Sequence, residues 1–191
     1  VPTRYPAGGA KQLIRVLTGK EVPAAKRSTD LGVQCFNVAT AYTAWRAIAH
    51  GEPVIARLVT VTGNVHAPRN YEVLIGTPMR YLLELAGYQV EKNNRLIMGG
   101  PMMGFTVPDA GVPIVKTTNC LLAPTESELP TPPPAQACIR CGLCAEACPV
   151  SLLPQQLFWF AQGKEFDKLE HHNLFDCIEC GACSYVCPSH I

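Results

Sequence analysis

Eight of the ten cysteines stand in two short motifs in the last third of the chain, and both motifs have the spacing C-x2-C-x2-C-x3-C-P. The first motif spans residues 138–149 and the second motif spans residues 177–188. Thiolates repeated at such short intervals are typical of metal binding rather than of packing. The cysteines are Cys138, Cys141, Cys144 and Cys148 in the first motif, and Cys177, Cys180, Cys183 and Cys187 in the second motif.

This spacing predicts two [4Fe–4S] clusters. Three thiolates on one loop can reach three corners of a cluster, and the cysteine before proline is carried away to bind the other cluster. Gly142 and Gly181 occupy the same place in the two motifs, where we expect the backbone to pass close to inorganic sulfide. The expected ligands are Cys138, Cys141, Cys144 and Cys187 for one cluster, and Cys148, Cys177, Cys180 and Cys183 for the other.

Structural zinc and disulfides are the alternative interpretations of these cysteines. Zinc sites favour two separated C-x2-C pairs for each metal ion, without a third evenly spaced cysteine and a C-P ending. Disulfides between residues three apart would be strained, and the composition is not that of a small secreted scaffold. Iron–sulfur clusters are therefore favoured, and reduced, metal-bound cysteines predict a reducing compartment such as a cytoplasm.

The composition is that of a globular protein. The 191 residues are 48% hydrophobic and 16% charged, which is sufficient for one large domain or for two or three small ones. A net charge of +1 provides no electrostatic surface for nucleic acid, and no apolar run is long enough to span a bilayer. Because the sequence begins with Val1 and carries no signal peptide, we expect it to be part of a longer polypeptide.

The N-terminal segment contains two candidate helix starts that could bind a phosphate. Gly8 and Gly9 precede a predicted helix over residues 11–17, and a simple turn is the alternative interpretation. Residues 32–36 are predicted to form a strand, followed by a helix from about residue 37 to residue 50. Asn37 and Thr40 at its start could contact a ligand phosphate or merely cap the helix.

Residues 54–107 are predicted to form a small α+β unit of β-grasp type. Residues 57–63, 71–75 and 95–98 have the patterns of strands. Thr77 is expected to cap a helix that has Pro78 at its first position and runs to about residue 86. Residues 123–137 include four prolines among residues 130–134 and are predicted to be an extended linker.

The segment between the two motifs is predicted to be helical. Residues 152–161 and 165–172 have helical periodicity, and Phe158, Trp159 and Phe160 are expected to pack against the clusters. His171 and His172 are interpreted as solvated surface residues.

Together these segments resemble the C subunit of the bacterial Rnf complex, also called Rsx. The resemblance covers nearly the whole chain and depends on the order of its motifs. They are YPAGGAKQLI at residues 5–14, NVAT at 37–40, VTVTG at 59–63, IMGGPMMG at 97–104, TNCLLAP at 118–124 and the two cysteine motifs.

The resemblance implies an α+β chain of several parts. Residues 1–53 would be the end of an FMN- and NADH-binding domain like that of the complex I flavoprotein, and residues 54–122 an SLBB (β-grasp) domain. Residues 123–137 would be the linker, and residues 138–191 a helical ferredoxin domain with two [4Fe–4S] clusters. Gly8, Gly9, Asn37 and Thr40 would approach FMN in the full-length protein, although Ala10 replaces a glutamate common in relatives.

The resemblance implies that the chain belongs to a peripheral subunit at the cytoplasmic face of the bacterial inner membrane. There the complex would pass electrons between NADH and ferredoxin and couple this electron transfer to ion translocation. In some bacteria it is implicated in keeping the regulator SoxR reduced. The implied partners are the other Rnf subunits, without nucleic acid. The alternative function is a non-catalytic iron–sulfur adaptor of another flavin oxidoreductase.

Overall fold

The computed structural model describes residues 3–89 and 95–191 and divides the chain into two compact units. One unit is formed by residues 1–35 together with residues 133–191, and the other by residues 36–132. The N-terminal segment therefore folds with the cysteine motifs, although about one hundred residues separate them in sequence. The domain boundaries expected from the sequence remain predictions.

The unit formed by residues 36–132 is α+β and is built on a five-stranded mixed sheet. Its strand order is β2-β1-β5-β3-β4. Strands β1 and β2 form an antiparallel hairpin, β5 pairs parallel to β1, and β3 pairs antiparallel to both β5 and β4. The strands are β1 (Ala56–Gly63), β2 (Arg69–Leu74), β3 (Leu96–Met98), β4 (Phe105–Val107) and β5 (Cys120–Ala123).

One face of this sheet carries the core. Along β1, Val59 and Val61 are buried whereas Leu58 is exposed, because successive side chains of a strand point to opposite faces. The helix Met79–Leu85, which we number α3, covers the buried face with Met79, Leu82 and Leu83. The helix Val38–His50, numbered α2, contributes no buried residue to this unit.

A glycine is required at the point where β1 meets β5. Gly63 has φ of +100°, and a Cβ built on it would collide with the carbonyl oxygen of Ala123. The next residue, Asn64, donates its backbone N–H to that oxygen at 2.6 Å. The two central strands therefore end together, and β5 includes the first residue of the predicted linker.

The unit that contains the cysteines is largely helical. Its helices are α1 (Ala10–Thr18), α4 (Leu143–Glu146), α5 (Pro154–Gln162), α6 (Phe166–His171) and α7 (Ala182–Tyr185), with short 3-10 turns at Ser28–Leu31 and Leu174–Asp176. Leu152, Leu157 and Leu169 form its small core, with Phe160 packed against them. Helices α1, α2, α5 and α6 confirm the predicted helices, and Gly19 caps the C-terminus of α1.

Two local predictions were wrong. The strand predicted at residues 32–36 does not form, because the 3-10 turn before it ends at Gly32 and no strand of the described residues pairs with this segment. The cap of α3 is Pro78 in extended conformation, rather than Thr77.

Among the described residues, no helix combines the length and the apolar character needed to cross a bilayer.

Polar contacts join the N-terminal segment to the second motif within this unit. The Lys11 ammonium forms an ion pair with the Asp176 carboxylate at 2.9 Å, and the backbone N–H of Ala25 donates to the same carboxylate at 3.2 Å. The Tyr5 hydroxyl donates to the carbonyl of Cys180 at 2.5 Å. The hydrogen bond from Lys11 is the main cause of a lowered pKa for Asp176, and the N–H of Ala25 acts in the same direction.

Replacing Leu82 with alanine should lower the free energy of unfolding by about 2–5 kcal/mol, since it removes a buried side chain and leaves a cavity. Leu85 on the same helix is 54% exposed, so Leu85→Ala should change stability by less than about 0.5 kcal/mol. Urea denaturation followed by circular dichroism measures both. Equal losses in the two variants would contradict this packing of α3.

The Asp176→Asn variant should lose about 1 kcal/mol of stability at pH 7, because Lys11 and the N–H of Ala25 then face a neutral group. A carboxylate with a lowered pKa stabilises the fold above its unfolded pKa, and this contribution disappears as pH falls through the folded value. The difference between parent and variant should therefore shrink below about pH 4.

Denaturation measured from pH 7 to pH 3 tests this dependence. Asp167→Asn is the matched control, because Asp167 is exposed on α6. A difference between parent and Asp176→Asn that stays constant with pH would contradict the assigned ion pair.

Candidate metal centre

The two cysteine motifs fold into the same backbone shape. Arg140 and Glu179, at equivalent positions, have φ of +57° and +53°, and Gly142 and Gly181 have φ of +83° and +74°. Each glycine immediately precedes a single helical turn, α4 in the first motif and α7 in the second. The left-handed turn explains the glycine in the first motif, since a Cβ on Gly142 would otherwise meet open space.

The thiols receive equivalent backbone hydrogen bonds in the two motifs. The N–H of Arg140 donates to Sγ of Cys138, and the N–H of Glu179 donates to Sγ of Cys177, both at 3.4 Å. Donors directed at sulfur stabilise a thiolate. The sequence repeat is therefore also a repeat of the local geometry around the first cysteine of each motif.

A cysteine from the second motif lies with three from the first. Cys138, Cys141, Cys144 and Cys187 line one small cavity, together with Gln155 and residues adjacent to the cysteines in both motifs. This is the set expected for one cluster, and Cys187 belongs to it because the chain turns after α7. Four soft thiolate donors around one space fit an iron–sulfur cluster.

A second, mostly apolar cavity is lined by cysteines from both motifs. Cys138 and Cys144 contribute from the first motif, and Cys183 and Cys187 from the second. Phe158 and Trp159 also line this cavity, and their packing against a cluster remains a prediction. Phe160 packs against the leucine core, as Cys148 does, and its ring centroid lies 4.8 Å from that of His172, so its contact with a cluster remains a prediction.

The remaining expected ligands differ in exposure. Cys180 is buried, Cys148 and Cys183 are half-buried, and Cys177 is exposed. Cys148 packs beside the leucine core, and its Sγ accepts the N–H of Leu152 at 3.3 Å. Burial raises the pKa of the Cys183 thiol, so its deprotonation near neutral pH depends on a bound positive charge.

Within residues 3–89 and 95–191, no three Cys, His, Asp or Glu side chains converge where a single metal ion could bind. A mononuclear zinc site needs its ligands within about 2.3 Å of one point, whereas a cluster takes one ligand at each corner.

The two cysteines outside the motifs, Cys35 and Cys120, belong to different units, and burial raises the pKa of Cys120.

The residues expected near a flavin are divided between the two units. Gly8 and Gly9 belong to the unit that contains the cysteines, and Asn37 and Thr40 belong to the other. Asn37 caps α2 by accepting the N–H of Ala39 at 3.0 Å. A Cβ on Gly9 would lie 2.7 Å from Oε1 of Gln12, which is the end of a flexible side chain, so this contact alone does not require glycine. Their contact with FMN remains a prediction.

Sequence reasoning missed Gln155 as a site residue. Its Nε2 donates to Sγ of Cys138 at 3.0 Å, and its side chain lines both cavities. No motif spacing marks this glutamine, and the only local signal is its position directly after Pro154, which begins α5.

Three family models match successive parts of the chain. The Nuo51 FMN-binding domain matches residues 1–46, the SLBB domain matches residues 58–106, and the 4Fe-4S dicluster domain matches residues 137–191. The last match covers both cysteine motifs, so the prediction of two [4Fe–4S] clusters is confirmed, and the α+β fold class with these three parts is confirmed as well.

Curated relatives match most of the chain. Each is named as the C subunit of an ion-translocating oxidoreductase complex, and the identity is 57% in Yersinia pestis, 57% in Cronobacter sakazakii and 56% in Serratia proteamaculans, over 92% of the chain. The chain spans 28%, 23% and 25% of these relatives, respectively. Over the part of their length that it spans, the chain is similar to the C subunits of ion-translocating oxidoreductase complexes.

Proposed function

We propose that this chain carries electrons through two [4Fe–4S] clusters as part of a subunit of an Rnf-type, ion-translocating oxidoreductase complex. The observation that supports this most strongly is the cavity lined by Cys138, Cys141, Cys144 and Cys187. Cys187 comes from the second motif, so the two motifs form one structural unit rather than two independent binding sites. The names of the relatives supply the type of complex.

The proposed ligands divide between the motifs. Each motif provides three cysteines to one cluster and its last cysteine to the other cluster. When bound, a [4Fe–4S] cluster accepts and donates single electrons. The first cluster would be held by Cys138, Cys141, Cys144 and Cys187, and the second by Cys148, Cys177, Cys180 and Cys183.

The protein residues around the cysteines limit access of water. Phe158 and Trp159 lie over the cavity that both motifs share, and Leu152 and Leu157 anchor α5 beside it. Low polarity and few solvent contacts are among the factors that set cluster potentials. Cysteines of both motifs line this one cavity, so the two clusters would be neighbours and electrons could pass directly between them.

For the whole protein we propose a peripheral position at the cytoplasmic face of the bacterial inner membrane, beside the other subunits of the complex. NADH and ferredoxin are the proposed redox partners, with FMN bound by the full-length protein through Gly8, Gly9, Asn37 and Thr40. Support comes from the match of residues 1–46 to the Nuo51 FMN-binding domain and from the names of the relatives. A contribution to keeping SoxR reduced belongs to the same proposal.

Cofactor analysis of the full-length protein separates this function from that of a non-catalytic iron–sulfur adaptor. We expect flavin together with clusters that NADH reduces under anaerobic conditions. Clusters without flavin, and without any reduction by NADH, would support the adaptor instead.

The ligand pairing predicts an asymmetric effect of two substitutions. Cys148→Ser should damage the cluster held mainly by the second motif, and Cys187→Ser should damage the cluster held mainly by the first motif. Anaerobic reconstitution with iron counting and EPR measures this, and the parent should contain about eight irons and two interacting reduced clusters. Cys35→Ser is the control and should retain both clusters, because Cys35 lies outside the motifs. Damage by Cys148→Ser confined to the first-motif cluster would refute the pairing.

A further inference from the structure

The shared backbone of the two motifs leaves few places where their clusters can differ. Equivalent residues have the same left-handed turns, and the N–H groups of Arg140 and Glu179 donate to equivalent sulfurs at the same distance. The backbone alone would therefore give the two clusters similar surroundings. Side chains add further differences, and two of them change the hydrogen bonding or the charge near the first cysteine of each motif.

The first difference is the amide of Gln155. Its Nε2 donates to Sγ of Cys138 at 3.0 Å, a shorter contact than the 3.4 Å of the backbone donor to the same sulfur. The side chain is half-buried between the two cysteine-lined cavities, and α5 is held in place by Leu157 in the leucine core. Among the residues that the structure describes, no side chain donates in this way to Cys177, the equivalent cysteine of the second motif.

The second difference is a reversal of charge. Arg140 in the first motif and Glu179 in the second occupy equivalent turn positions, and both are exposed. Solvent screens charges at such positions, so their effect is smaller than that of a direct hydrogen bond. The two charges nevertheless have the same effect. Positive charge near the first-motif cluster favours its reduction, and negative charge near the second-motif cluster opposes reduction there.

Hydrogen bonds to cluster sulfurs and nearby charge are recognised determinants of cluster potential. Reduction adds negative charge to the cluster and its thiolates, and an N–H donor to a sulfur stabilises that more negative state. The donor from Gln155 therefore favours reduction of the cluster that Cys138 binds.

We propose that Gln155 sets the potential of the first-motif cluster above that of the second-motif cluster, so that a single electron added to the oxidised protein resides on the first-motif cluster. Gln155 is a positioning and tuning residue here, since it acts through Cys138. This inference rests on the ligand assignment proposed above.

Redox titration of the full-length protein, followed by EPR, tests the role of Gln155. In Gln155→Leu we expect the higher of the two midpoint potentials to fall and the lower one to stay unchanged. The ratio of reduced to oxidised first-motif cluster at a fixed potential should change about tenfold, which corresponds to about 59 mV for one electron. Gln156→Leu is the matched control, because Gln156 is exposed on the same helix, and both of its potentials should equal those of the parent.

Iron counting separates tuning from assembly, and we expect Gln155→Leu to retain about eight irons. Full iron content with both potentials unchanged would overturn the role of Gln155 and leave the ligand assignment intact. A fall of the lower potential alone, or loss of one cluster, would also overturn it. Absence of clusters from the parent would instead refute the ligand assignment.

Discussion

The approach of Cys187 to the first three cysteines of the first motif is the contact on which the cysteine-containing unit depends. A cavity with these four thiols can form only if α7 turns the end of the second motif back onto the first. The hydrogen bonds between residues 136–137 and Ser189 hold that end of the chain in place, because they join the end of the second motif to the start of the first. The contacts that hold the fold of this unit together therefore also bring the four proposed ligands to one cavity.

The N-terminal segment extends the same unit. Lys11 and Ala25 converge on Asp176, which directly precedes the second motif, and Tyr5 reaches the carbonyl of Cys180 within it. These contacts hold the loop of the second motif from outside. In the family match this segment belongs to the FMN-binding domain, so residues of the proposed flavin segment also position the second motif.

The repeat in the sequence produces a repeat in structure, but the surroundings of the two motifs are not symmetric. Gln155, Phe158 and Trp159 all come from α5, which follows the first motif and covers the cavity that both motifs line. The two motifs therefore share one backbone geometry, and the helix inserted between them supplies the side chains that make their surroundings different. This arrangement allows the properties of two similar centres to diverge without disturbing the turns that hold the thiols.

The sequence alone determined the number and type of the clusters, the α+β class and most helices. These features depend on local patterns, namely the spacing of the cysteines and the periodicity of the apolar residues. Only the tertiary structure decided that residues 1–35 fold with the cysteine motifs, that β5 lies at the centre of the sheet, and that Gln155 contacts Cys138. Each of these three features either brings together residues distant in sequence or depends on which of several similar neighbouring side chains reaches the site. Local patterns carry no information about such contacts, because they are selected by the packing of the whole chain.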